Sequence, residues 1–475
     1  MSYGHFIAGQ WQNAAKSRPN INPSDLSDVI GEYADAEAND ADAAISAARE
    51  AFPSWAYGSP QVRADVLDRA GTLITERKAD LGKLLAREEG KTLPEAIGEV
   101  TRAAQIFKFF AGEAIRAGGE VIPSVRPGME VQILRQPLGV VGLITPWNFP
   151  IAIPAWKLAP ALAYGNTAVL KPAELTPGCA WALFEILEKA GLPAGVANLV
   201  IGSGRVIGPR LIESPHVNAI SITGSVNTGR SVVARCAQLG KRVQAEMGGK
   251  NPMIVLDDAD LNIAVNACLN GAFFSTGQRC TASSRLIVTE GIHDRFVAAL
   301  TEKVKALRVG HALDPQTEIG PVVDEKQLEQ DLSYLKIAQQ EGARVVGGER
   351  LERPTKGFYL QPALLLDTTS QMRVNREEIF GPVASVIRVK NYEEALVTAN
   401  DTEFGLSAGI CTNSLSVAQH FKRHAAAGMV MINAPTAGVD YHVPFGGSKA
   451  SSYGPREQGT YAREFYTWVK TVYVA

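Results

Sequence analysis

GVVGLIT (139–145), NTAVLKP (166–172), VANLVIG (196–202), AISITGS (219–225) and RVQAEM (242–247) are short apolar runs that read as buried strands. The segments at 177–191, 204–213 and 227–240 between them have apolar residues at helical spacing. Strands alternating with helices of this length build right-handed crossovers and a largely parallel sheet. A second alternating set begins after Pro252: MIVL, a helix over 260–274, SRLIV, a helix over 291–308, then 324–341, ARVVGG and 392–400. The expected fold class is α/β, with two doubly wound parallel-sheet lobes. Upstream, 40–56, 60–90 and 94–117 read as amphipathic helices, with Asp40 or Asp42 capping the first. EVQILRQ (130–136) alternates like a strand. The tail EFYTWVKTVYVA alternates too, as an edge strand of the kind that pairs with another subunit.

The 475 residues include 47 Lys+Arg and 49 Asp+Glu, a formal net charge of −2, and 46% are hydrophobic. That is too apolar and too neutral for a disordered chain. The balance gives no electrostatic footprint for nucleic acid. The uncharged stretch 137–156 is long enough to cross a bilayer, but Pro137, Pro146, Pro150 and Pro154 make strand, loop and helix the better reading. No membrane partner is expected. The five cysteines, at 179, 236, 268, 280 and 411, form no CxxC pair. The start, MSYGHFIAGQWQ, has neither the basic nor the apolar region of a signal peptide. A cytoplasmic protein with free thiols fits best.

Five features bear on chemistry. Cys280 lies in a polar loop, GQRCTASSR, after the Gly277 break; a free Cys is usually buried and inert, but adjacent Arg279 would depress this thiol's pKa. The other four cysteines sit in apolar settings and read as packing. Glu246 ends a strand before Gly248–Gly249, a turn that exposes it as a surface residue or a general base. Asn148, between Trp147 and Phe149, either satisfies its turn or offers an amide to an oxyanion. Gly202, Gly204, Gly224, Ser225 and Gly229 miss the GxGxxG spacing, yet they sit at strand-to-helix turns where phosphates bind in doubly wound folds. Lys171 and Glu174 either bracket a ribose or mark an ordinary helix entry.

The ordered strings TPWNFP (145–150), KPAELTP (171–177), ITGSVNTG (222–229), EMGGKNP (246–252), GQRC (277–280), EEIFGPV (377–383) and PFGGSK (444–449) identify the chain as similar to the aldehyde dehydrogenase superfamily over nearly its whole length. The resemblance implies that Cys280 is the nucleophile, Glu246 the general base and Asn148 the oxyanion donor. It implies cofactor contacts at Ile144, Trp147, Lys171, Glu174, Gly204, Ser225, Gly248, Glu378 and Phe380. The cofactor is expected to be NAD, since a carboxylate at Glu174 accepts from a ribose hydroxyl and repels a 2′-phosphate; NADP stays possible through Lys171. No metal is implied. The resemblance divides the chain into an NAD(P)-binding domain (1–125 and 141–248), a catalytic domain (249–445) and a small β oligomerisation arm (126–140 and 460–475). It implies a homodimer or homotetramer.

The substrate wall implied by the resemblance is Phe149, Trp156, Phe274 and Phe445, with 439–442 near the mouth. Arg279 and Arg116 are the candidate cations, and Arg suits a carboxylate. The expected substrate is thus a small-molecule aldehyde with a distal acid. Near the end, SKASSYGPREQG departs from the usual family pattern, with Ser452 in place of a glycine and an extra residue around Pro455. That string is similar to the subgroup that oxidises α-ketoglutarate semialdehyde (2,5-dioxopentanoate). Succinate semialdehyde, and then aromatic or aliphatic aldehydes, are the alternatives. A CoA-acylating relative is disfavoured by Glu246, and a non-catalytic one by the intact Cys280, Glu246 and Asn148.

Overall fold

Strands Val140–Ile144, Thr167–Lys171, Ala197–Leu199, Ala219–Thr223 and Arg242–Glu246 pair in parallel in a computed structural model that describes residues 2–475. In chain order they lie third, second, first, fourth and fifth across the sheet when counted inward from Ala197–Leu199, so the order reverses beside Val140–Ile144. Each strand is buried along nearly its whole length because both faces are covered. Val141, Leu143, Ala168 and Leu170 face the helices Pro60–Glu76, Leu93–Ala114, Ala152–Ala163 and Pro177–Lys189. Val140, Val169, Ile220 and Ile222 face Ala38–Ala56, Gly204–Glu213 and Val226–Gln238.

Both edges of this sheet are closed by antiparallel strands from the chain ends. His5–Ile7 and Gln10–Gln12 extend one edge, and Ser452–Tyr453 pairs with Arg242–Glu246 on the other. Ala462, Phe465 and Tyr466 then pack into the first core.

The second sheet has seven strands, with Asn251–Val255 and Ser407–Cys411 side by side where its order reverses. Arg344–Val346 is its one antiparallel member, at an edge. A third, three-stranded antiparallel sheet joins Thr467–Val474 to Glu130–Pro137 and Glu120–Pro123. Its outer faces leave Val121, Ile122, Trp468, Val469 and Tyr473 exposed. The α/β class with two largely parallel sheets and a small β appendage is therefore the observed architecture. Among the described residues, no helix is long and apolar enough to cross a membrane.

Local departures have local causes. The 60–90 segment is two helices, Pro60–Glu76 and Lys78–Glu89, which meet at Arg77, whose guanidinium pairs with Glu185 at 2.7 Å. The first helix is capped by Glu37, not by Asp40 or Asp42; Asp40 is its N3 partner in a reciprocal capping box. Residues 2–34 form strands of two to ten residues, the shortest of which are too short to show a period.

Candidate active site

Ligands of doubly wound sheets settle beyond the carboxyl ends of the strands where the order reverses. Here that point lies between Val140–Ile144 and Ala219–Thr223. The loops leaving these two strands, 145–149 and 223–225, line a cavity of about 850 Å³. It reaches across to residues 275–281 and 378–380 of the second sheet's loops.

One end of the cavity fits a dinucleotide. Thr145 Oγ1 and Thr223 Oγ1 are buried there with no hydrogen-bond partner, so two hydroxyls await a polar ligand. Ser225 caps the helix Val226–Gln238, whose first turn offers free N–H groups of the kind that hold phosphate. Lys171 and Glu174 line the same end. Glu174 accepts from Gly204 N–H at 3.0 Å and pairs with Arg18 at 2.7 Å, so its charge is matched within the protein. Farther in, Glu378 accepts from Gly249 N–H at 2.8 Å, and burial pushes its carboxyl up to about 7. A Cβ on Gly248 would lie 2.0 Å from a Glu378 oxygen, so only glycine lets that carboxylate approach. Trp147 and Phe380 meet edge to face at 5.5 Å. Ile144 lines this region too.

Cys280 follows a strained loop. Ser275, Thr276 and Gly277 take three successive positive φ angles of 50°, 55° and 65°. Glu95 holds the loop: one carboxylate oxygen accepts from Ser275 N–H at 2.7 Å, and the other closes the N-terminal turn of its own helix through Thr92. The same Glu95 pairs with Arg279 at 3.2 Å, and Ser275 Oγ accepts a second Arg279 bond. This corrects the expectation that Arg279 depresses the Cys280 thiol. The guanidinium is matched by Glu95, and burial, then Glu378 and Glu246, push the thiol up to about 12. Cys280 thus rests as a thiol. Asn148 is buried beside it; its Nδ2 donates to Gln278 O at 2.9 Å, and one N–H remains. The other four cysteines are buried away from the cavity, and all five are free thiols.

Glu246 is not exposed by its turn, as the sequence suggested; it is 2% exposed and lines the cavity. Burial first, then Glu457, hold its carboxyl well above the usual range. Behind it lies a pair the sequence reading missed. Lys157, fully buried in the all-buried helix Ala152–Ala163, contacts Glu457 and donates to Ser221 Oγ at 2.8 Å. The only signal was a lysine inside an otherwise apolar helix.

The far end is aromatic. Trp156 and Phe445 pack at 5.3 Å, with Phe149 and Val439 nearby. Phe274 does not line this cavity; it packs against the core of the second sheet. Arg116 does not reach it either, because the helix ends at Ala114 and the Arg116 side chain is 68% exposed against Glu113. Arg279 lines it, though paired with Glu95; the cation beside the aromatic end is Arg102, on the helix Leu93–Ala114. Its guanidinium stands over the Trp156 ring at 5.6 Å and donates to Gln458 at 3.1 Å, while its Nε is buried without a partner. The cation that this segment supplies to the cavity stands 14 residues earlier than expected: Arg102 lies inside the helix, while Arg116 lies beyond its C-cap at Ile115. Among the described residues, no group of three or more His, Cys, Asp or Glu is placed to hold a metal.

Residues 11–472 match the Aldehyde dehydrogenase family. The chain is 45% identical over 478 residues to the alpha-ketoglutaric semialdehyde dehydrogenase of Bacillus subtilis, covering 100% of this chain and 98% of that protein. It is 43% identical over 475 residues to the alpha-ketoglutarate semialdehyde dehydrogenase of Haloferax volcanii, covering 99% and 98%. Among solved structures, betaine aldehyde dehydrogenase of Staphylococcus aureus in complex with NAD+ superposes with a TM-score of 0.97 at 36% identity, over 100% of this chain and 95% of that one.

Proposed function

Since the chain belongs to the aldehyde dehydrogenase family, we propose that it oxidises an ω-oxo acid of the α-ketoglutarate semialdehyde kind to the diacid. The observation that carries the substrate reading is Arg102, a cation with an unpartnered buried Nε in the aromatic end of the cavity. A carboxylate is the ligand that satisfies such a group. The names of the relatives agree with this choice. A general apolar aldehyde would leave the guanidinium short of a partner at desolvation cost.

The roles follow from the groups present. Glu246 takes the Cys280 proton, a necessary step because the thiol rests protonated. The thiolate attacks the aldehyde carbon, and the resulting oxyanion accepts from the free Asn148 N–H and the Cys280 backbone N–H. When bound, a nicotinamide dinucleotide supplies the acceptor for the hydride that leaves that carbon. Cys280 then holds the acyl group as a thioester. Glu246 loses the first proton to solvent, then removes a proton from water; hydroxide adds to the thioester carbon, the acid is released, and the leaving thiolate regains its proton from Glu246. A carboxyl whose pKa is raised by burial is a stronger base than a surface one, which suits both proton transfers.

The two separate parallel sheets support the assignment of 1–125 and 141–248 to NAD(P) binding and of 249–445 to catalysis. NAD is the proposed cofactor, with Glu174 receiving the ribose hydroxyls. Titration with each dinucleotide is expected to give the lower Kd for NAD. A lower Kd for NADP would overturn this and make Arg18 and Lys171 the phosphate ligands.

Arg102→Gln tests the substrate reading. We expect kcat/KM for α-ketoglutarate semialdehyde to fall about 100-fold, roughly 2.7 kcal/mol of transition-state binding, while that for propanal stays within about threefold. Equal losses on both aldehydes would remove the carboxylate from the proposal and leave Arg102 a packing residue.

A further inference from the structure

Ser452 and Glu246 face each other in register across the antiparallel edge of the first sheet. The serine hydroxyl donates to Glu246 Oε2 at 2.5 Å and accepts from Gly447 N–H at 2.7 Å. A hydroxyl has one proton, and Gly447 N–H can only donate. The serine oxygen is therefore taken as an acceptor on one side, and its single proton is left for the carboxylate. Glu246 Oε1, by contrast, is buried with no hydrogen-bond partner.

We propose that Ser452 is a positioning residue for the reaction's base: it pins Glu246 by one oxygen, as the carboxylate, and leaves the other oxygen free for the water that cleaves the thioester. The proposal rests on the reading of Glu246 as that base. The charged and titratable neighbours of Glu246 do not supply this clamp. Glu457 acts on it from the C-terminal segment as a like charge, and Lys157 and Arg456 act as opposite charges at longer range. Cys280, a thiol, and Glu378 line the same cavity, and both carboxyls act on the thiol. Ser452 is the one side chain that hydrogen-bonds to Glu246 among the described residues, and it draws the carboxyl's pKa down against burial and Glu457. Alanine or glycine at 452 leaves the base with no donor, and Gly447 N–H with no acceptor.

The sheet edge itself does not need this hydroxyl: Met247 N–H donates to Ser451 O at 2.8 Å, which holds the edge strand independently of the serine side chain. Gly447 N–H does lose an acceptor, so Ser452→Thr, which keeps the hydroxyl, separates the clamp from that backbone loss.

The test follows the acyl-enzyme directly. The parent, Ser452→Ala, Ser452→Thr and Glu246→Gln are mixed with NAD and α-ketoglutarate semialdehyde and quenched at intervals. Intact-protein mass spectrometry then measures decay of the thioester between about pH 6 and 9, a range wide enough to reveal a limb moved by one unit. Removing the hydroxyl raises the base's pKa. In Ser452→Ala the acid limb of decay is expected to move up by about one pH unit, so decay below both limbs slows about tenfold. Formation of the adduct, which also uses Glu246 as a base, is expected to shift along the same limb, and Ser452→Thr to restore the parent limb for both steps. An unmoved limb in Ser452→Ala, with Glu246→Gln stalled as acyl-enzyme, overturns the role of Ser452 alone. A loss equal at every pH and not restored by threonine overturns it too, as a structural effect. Parent-like decay in Glu246→Gln overturns the base reading and the clamp together.

Discussion

Cys280→Ala is expected to leave a folded protein that binds dinucleotide as the parent does and oxidises no aldehyde, with kcat lower by a factor on the order of 10⁴ or more. The size of the loss follows from the lack of a substitute. Cys179, Cys236, Cys268 and Cys411 are all buried in the cores and none lines the cavity. The fold is expected to survive because the loop is held by Glu95 and by Thr276 donating to Gly320 O, not by the sulfur. The geometry of the loop is backbone-made, and Gly277 sits where a Cβ would meet Gly381 O at 2.1 Å. Thermal melting and NADH formation, measured on the same sample, check both halves of the statement. Turnover within tenfold of the parent would remove Cys280 from the chemistry.

Glu246→Gln is expected to separate the two halves of the reaction. Glutamine keeps the shape of the side chain and loses the capacity to take a proton. The thioester should form once, seen as a burst of one NADH per site, and then persist, with steady turnover down by about 10²- to 10⁴-fold. The first proton has another route: the small thiolate fraction present at high pH, even with the thiol near 12. The second does not, since water near the thioester has no other unpaired carboxylate of raised pKa at the same wall; Glu378 is held by Gly249 and lies on the cofactor side. The burst should therefore slow at neutral pH and recover as pH rises. Its complete absence at every pH would remove the second route for the thiol's proton and make Glu246 indispensable to the first half of the reaction as well as to the second.

Much of this site could be read from short strings, because its groups hang on turns. Asn148 between two prolines, Glu246 before two glycines and Cys280 after Gly277 are each the product of a local break that sequence displays. The parallel sheets were legible for a similar reason: strands covered on both faces are apolar throughout, and their separation by helices shows in the period. What escaped reading depends on distance in the chain or on dielectric. Lys157 and Glu457 are 300 residues apart, and nothing near either names the other. Arg102 and Arg116 would share a face of the helix expected over 94–117, so periodicity cannot choose between them; the observed end of the helix at Ala114 does. The thiol's pKa went against expectation because burial, then Glu378 and Glu246, raise it, and because Arg279, which looks free in sequence, is matched in space by Glu95.

The closure of the first sheet by the end of the chain has a consequence for synthesis. Glu246 and Ser452 are 206 residues apart. At ribosomal rates of about 5–20 residues per second, the strand Arg242–Glu246 waits roughly 10 to 40 seconds for its neighbour. For that interval the nascent chain presents a bare sheet edge, and the core lacks Phe465 and Tyr466. Such an edge is a template for mispairing with other nascent chains. Ribosome-stalled chains ending before and after residue 466, compared for protease resistance, would time the closing. A gene cut between its two sheets would yield two fragments, the first with an open edge and the second carrying the strand meant to close it.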